Sequence, residues 1–183
     1  RALAENESPA GELDNEGKRA VGIFQAIAFC RRRYGKRSIG PYIISMAEGV
    51  DDVLSVLLLA QWGELRKRTG TVPIDIAPAF ETIQGLAGAA ALMRQLYAEP
   101  MYREHLTARR QKQTAMPGIA ESNVESDLAS ARWALLKAQR ELLDSARIDG
   151  VQLTLFHGRG GAIGAGGGKA HVDIRCAPAG GVE

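Results

Sequence analysis

Short apolar runs rich in β-branched residues alternate along this chain with longer segments of helical period, and that alternation limits the folds open to it more than any other feature. Residues 42–47, Tyr42-Ile43-Ile44-Ser45-Met46-Ala47, read as a buried strand. Before them, residues 16–33 carry Val21, Phe24, Ile27, Ala28 and Arg31 at helical spacing, and Gly35 and Gly40-Pro41 end the pattern. Residues 51–65 are again helical, with Val53, Leu54, Val56, Leu57, Leu58 and Trp62, until Gly70 and Pro73 interrupt. The cycle repeats with strand candidates at 74–80, 114–120 and 151–156 and helices at 82–97 and 125–147, the latter broken by Gly150. Pro78 weakens the second strand, because sheets tolerate proline mainly at edges. Strand, helix, strand, helix at this spacing argues for parallel βα units. The expected fold class is α/β: a helix-rich, partial (βα)8 barrel of about four units, because 183 residues fall short of the ~250 of a full barrel.

In parallel α/β folds the carboxyl ends of the strands face the ligand site. Ser45 and Glu48 follow the first run, Glu81 the second, Glu121 and Ser122 the third, and His157 and Arg159 the fourth. Two carboxylates, an imidazole and a guanidinium are thus expected on one rim. Carboxylate oxygens suit hard cations such as Mg2+ or Mn2+, which keep water for substrate phosphates. The alternative for two acids at strand ends is a helix cap or a salt bridge.

The last strand runs into His157-Gly158-Arg159-Gly160-Gly161-Ala162-Ile163-Gly164-Ala165-Gly166-Gly167-Gly168-Lys169. Glycines let successive N–H groups converge on an anion, and Arg159 adds a fork matched to phosphate oxygens. Nucleotide motifs do not close. Three residues, not four, separate Gly164 from Gly168, Ala170 follows Lys169, and Ile163 stands where a dinucleotide fingerprint needs its third glycine. The competing reading is a plain glycine linker.

Composition removes several function classes. Net charge is +2, with acids and bases interspersed, so nucleic acid is not expected as a partner. The one basic cluster, Arg31, Arg32, Arg33, Lys36 and Arg37, falls where the first helix ends and complements its dipole. The longest apolar stretch, 53–60, is far below the ~20 residues that span a bilayer. Cys30 and Cys176 are too far apart for a disulfide framework or a metal pair. Cys30 is expected as a buried thiol, and a reducing, cytoplasmic setting follows. His105 and His171 carry no partner motif and read as surface or packing residues. Residues 1–15 read as a mobile surface segment without the apolar core of a signal peptide. The chain opens on Arg1 and stops just after Ala179-Gly180-Gly181, so both ends read as cut.

Four stretches, in this order and spacing, resemble phosphoenolpyruvate carboxylases: residues 42–47; Phe80-Glu81; Met116-Pro117-Gly118-Ile119-Ala120-Glu121-Ser122; and Leu153-Thr154-Leu155-Phe156-His157-Gly158-Arg159-Gly160-Gly161. The resemblance covers roughly residues 39–179 and implies that residues 1–183 are one fragment of the catalytic barrel. It implies a carboxy-lyase that makes oxaloacetate and phosphate from phosphoenolpyruvate and bicarbonate, fixing carbon and feeding the tricarboxylic acid cycle. Bicarbonate attacks the phosphoryl group, giving carboxyphosphate and the enolate of pyruvate, which then takes up carbon dioxide. Mg2+ or Mn2+ stabilises the enolate oxygen.

By resemblance the metal ligands are Glu81 and Glu121. Arg159 and His157 are catalytic, and Arg159, Gly160, Gly161, Gly164 and Lys169 hold phosphate. A cytoplasmic homotetramer regulated by metabolites is also implied, as are a catalytic histidine and further arginines from regions outside these residues. Departures occur in two loops. The family's Gly-Tyr-Ser-Asp-Ser-x-Lys-Asp reads Gly118-Ile119-Ala120-Glu121-Ser122-Asn123-Val124-Glu125, exchanging Asp for Glu121 and Lys for Val124. In the glycine loop the family's second arginine is Ala165 and its usual proline is Lys169. These losses of charge leave open a catalytically degenerate relative with a structural or phosphate-binding role.

Overall fold

The first helix starts because Asp14 accepts a hydrogen bond from the Gly17 N–H at 2.7 Å, satisfying one of the free donors of the opening turn. This computed structural model describes residues 9, 11–66, 71–118, 128–156, 175, 177 and 178. Helix α1, Asn15–Tyr34, buries Val21, Phe24, Ile27 and Ala28 and carries Arg31, Arg32 and Arg33 in its last turn, as the spacing and the dipole require. Gly35, at φ +96°, ends it in a conformation that favours glycine. Cys30 departs from expectation. It lies off the buried stripe and is only partly covered.

Strand β1, Tyr42–Ile44, is shorter than the apolar run, because the chain turns at Ser45 and Met46. Helix α2, Val50–Trp62, opens with the Asp52 carboxylate accepting from the N–H groups of Glu48 (2.9 Å) and Gly49 (3.0 Å). Strand β2 is Ile76–Phe80, buried along its whole length. Helix α3, Ile83–Ala98, is capped by the Thr82 hydroxyl, which accepts from the Gly85 N–H at 2.9 Å. Helix α4, Pro100–Ala108, was not expected from the sequence. Pro100 keeps Glu99 extended, at φ −70° and ψ 120°, so one helix stops and another starts with proline in its first turn. Strand β3, Lys112–Pro117, begins two residues before the expected start at 114, and helix α5, Leu128–Ile148, leads to β4, Gln152–Leu155.

The strands form one parallel sheet in the order β1-β2-β3-β4. The alternation in sequence thus becomes α/β architecture, with five helices and four strands among the described residues. The core lies between the sheet and its helices. Phe24, Val53, Leu57, Ile76, Phe80, Met93, Leu96 and Leu142 belong to one contiguous cluster, with Leu153 and Leu155 packed against it.

Pro78 sits inside a central strand, where a missing donor should be costly. The carbonyls of Asp75 and Ala79 accept from the β1 side, from the N–H groups of Tyr42 (2.7 Å) and Ala47 (3.2 Å). Those of Ile76 and Phe80 accept from the β3 side, from the Gln113 carboxamide (2.7 Å) and the Gly118 N–H (3.0 Å). Pro78 shares their parity, so its absent N–H would face β3. Ladder pairing with β3 begins only at Ala79 and Met116. The proline therefore falls where the two strands are held by a side chain.

Candidate functional site

The carboxyl ends of the strands meet at one edge. Ala47 N–H reaches Ala79 O, Gly118 N–H reaches Phe80 O and Phe156 N–H reaches Ala115 O, so the segments that follow all four strands leave from there. Glu81 comes directly after β2 at this edge. The Ser45 hydroxyl donates to Glu81 Oε2, and the Met46 N–H donates to the same oxygen at 3.2 Å. Among the described residues, Glu81 Oε1 carries no hydrogen bond. Met46 adopts φ +52°, the left-handed region that a non-glycine residue enters at a cost of ~1 kcal/mol or more. This residue lies in the turn that follows β1, beside the carboxylate. A cavity of about 660 Å3 opens beside this group, lined by Met46, Glu48, Phe80, Glu81 and the first turns of α3 from Thr82 to Gly88.

Of the expected site residues, Glu81 is therefore at the rim, with Ser45 hydrogen-bonded to it. Glu48 lines the same cavity. Glu121, Ser122, His157, Arg159, Gly160, Gly161, Gly164 and Lys169 lie outside the described residues, as do Val124, Ala165, His171, Cys176 and residues 1–8. Among the described residues no group of three or more His, Cys, Asp or Glu side chains is arranged to hold a metal ion. Glu81 offers a fixed carboxylate with one oxygen engaged, a hard oxygen donor suited to Mg2+ or Mn2+. The sequence singled out Ser45 and Glu81 separately. Their bond forms at the turn after β1, which no glycine announces.

A second polar cluster occupies the opposite edge. Asp75 and Arg109 pair at 2.7 Å, and the Thr114 hydroxyl donates to Asp75 at 2.6 Å. The Tyr102 hydroxyl donates to Gln113 Oε1 at 2.5 Å, while Gln113 Nε2 serves Ile76 O. Burial holds Tyr102 well above its ordinary pKa, with Asp75 adding to the effect. His105, 4% exposed, is pushed down to about 3 by burial and then by the Arg109 charge, so it is neutral. Polar residues at 113 and 114 at buried positions of β3 carry this cluster. It fastens α4 to the amino ends of β2 and β3 and faces away from the carboxyl edge.

A family model described as phosphoenolpyruvate carboxylase matches residues 1–183. The phosphoenolpyruvate carboxylase of Xanthomonas euvesicatoria pv. vesicatoria is 45% identical over 181 residues, which is 98% of this chain and 20% of that protein. That of Corynebacterium diphtheriae is 41% identical over 163 residues, 89% of this chain and 17% of its own length. That of Mycobacterium avium is 37% identical over 175 residues, 94% and 19% respectively. The chain spans about a fifth of the length of these relatives.

Proposed function

The chain belongs to the phosphoenolpyruvate carboxylase family, and on that premise we propose that it is one part of a helix-rich (βα)8 barrel that carboxylates phosphoenolpyruvate with bicarbonate. The products are oxaloacetate and phosphate, which makes the whole protein a carboxy-lyase of the cytoplasm, assembled as a homotetramer. No described helix is long and apolar enough to cross a membrane. The observation that carries the reading is Glu81, its Oε2 fixed by Ser45 and Met46, at the edge from which the segments bearing Glu121 and His157 depart.

Glu81 and Glu121 would hold Mg2+ or Mn2+. The bound cation supplies Lewis-acid stabilisation of negative charge on substrate oxygen. Arg159 would clamp phosphate oxygens through its fork. In this reading Gly160, Gly161 and Gly164 would offer backbone N–H groups to the same anion, Lys169 would add a point charge, and His157 would be a second catalytic group. The test is oxaloacetate formation by the full-length protein under Mg2+ or Mn2+ titration. Glu81→Gln is expected to lower turnover ~100-fold or more, and metal-independent turnover unaffected by it would overturn the reading.

Val124 and Ala165 favour a second reading, a degenerate relative, because the family carries cations at both positions. Loss of one preorganised charge contact commonly costs ~100- to 1,000-fold, and paired losses need not add. Restoring Val124→Lys with Ala165→Arg is therefore expected to raise turnover at least ~10-fold, with a smaller effect on Mn2+ affinity. Equal turnover in both proteins would show that another group supplies the charge.

A further inference from the structure

A glutamate at an open rim has three side-chain torsions and no reason to present one oxygen rather than the other. Glu81 is an exception. Two donors from the neighbouring loop, the Ser45 hydroxyl and the Met46 N–H, converge on Oε2 and leave Oε1 without a partner among the described residues. The loop that brings them is held in an unfavourable conformation, with Met46 at φ +52°, yet it stays in register with β2 through the bond from Ala47 N–H to Ala79 O. Ser45 and Met46 themselves are exposed, while Ala47 just beyond them is buried.

We propose that Ser45 is a positioning residue for a divalent cation: by occupying Oε2 it makes Oε1 the oxygen that Glu81 presents and fixes the direction from which it is presented. The proposal rests on the reading of Glu81 as a metal ligand. Hydrogen bonds to the non-coordinating atoms of a ligand commonly set its orientation, and their loss costs ~10- to 100-fold in metal affinity or activity. The Met46 N–H alone would still bond Oε2, but a single bond leaves the carboxylate free to rotate about it. The hydroxyl supplies the second point of attachment.

The test is Mn2+ binding to the full-length protein without substrate, read from the free Mn2+ signal in electron paramagnetic resonance, with the urea midpoint measured alongside. Ser45→Ala is expected to weaken Mn2+ binding about 10-fold at an unchanged midpoint, and to raise the metal concentration for half-maximal turnover more than it lowers maximal turnover. Ser45→Thr, which keeps the hydroxyl, should return affinity to within ~3-fold of the parent. If Ser45→Ala does not fold, Ser45→Cys takes its place, since a thiol is a weak donor of similar shape. A variant that loses stability but binds Mn2+ like the parent would mark Ser45 as a structural tie and overturn the proposal. Glu81→Gln separates the two layers. If it weakens Mn2+ binding while Ser45→Ala does not, only the positioning role fails; if it leaves binding intact, the metal reading itself fails.

Discussion

His105 carries an imidazole that the fold covers without giving either nitrogen a hydrogen-bond partner among the described residues. Its ring lies 5.3 Å from that of Tyr102, tilted by 45°, and Arg109 adds a like charge. Both effects favour the neutral form, and the folded pKa of about 3 lies below the ordinary 6.5. Between those values the unfolded chain binds a proton that the native state does not, so stability falls as pH falls from about 6.5 towards 3. At pH 5 the group should cost about 2 kcal/mol relative to pH 7.5. His105→Leu removes the titration and leaves no new buried polar atom unpaired. Urea midpoints should therefore diverge on acidification, the variant gaining on the parent between pH 7.5 and pH 5. Parallel curves would show that His105 is protonated without cost. The sequence said only that this histidine was surface or packing. Burial of position 105 follows from α4, which the sequence reading did not find.

At the scale of elements, the strand–helix alternation and most helix faces were legible, because period and capping chemistry are local. Val21, Phe24, Ile27 and Ala28 were named as one stripe and form the buried face of α1. Helix α4 was missed, although Tyr102, His105 and Leu106 repeat at helical spacing. The strand expected at 74–80 was weakened by Pro78, and only tertiary pairing reveals that its missing donor faces an open stretch of ladder. Helix–helix spacing is equally non-local. Gly63, after α2, stands so close to α1 that a Cβ there would lie 2.4 Å from Phe24 Cβ and 3.0 Å from Val21 O. Its φ of −81° suits any residue, so space alone demands glycine. Gly63→Ala must push the helices apart, and a loss of ~1–3 kcal/mol is expected from denaturant unfolding. Gly88→Ala, where a Cβ would meet nothing within 4 Å, should be neutral or stabilising by up to ~1 kcal/mol as a helix-interior control. Equal effects of the two would refute the close-approach account.

For the whole molecule, the decisive feature is that the parallel sheet is not closed among the described residues: β1 and β4 are its outer strands. One rim was legible in outline, since strand ends can be read from apolar runs, and Glu81 was found that way. How the rim is finished was not, because it depends on loops and on neighbours that local pattern does not encode. Exposed Ile43, Met46 and Phe156, at 42%, 53% and 45%, lie in or just after the outer strands. Unpaired strand edges bearing apolar side chains invite association with other chains. The chain is also only about a fifth as long as its relatives, and its four described strands are half of those that close a (βα)8 barrel. The 183-residue chain, prepared alone, should therefore bind a hydrophobic dye and self-associate as its concentration rises. In a coupled assay with phosphoenolpyruvate, bicarbonate and Mg2+ it should give no oxaloacetate above background, while the full-length protein turns over. A Glu81→Gln control decides what any residual signal means. Metal-dependent turnover by the isolated chain that this substitution abolishes would show that these residues suffice for catalysis. A well-behaved monomer that binds no dye would show that the outer strands are already covered within the chain.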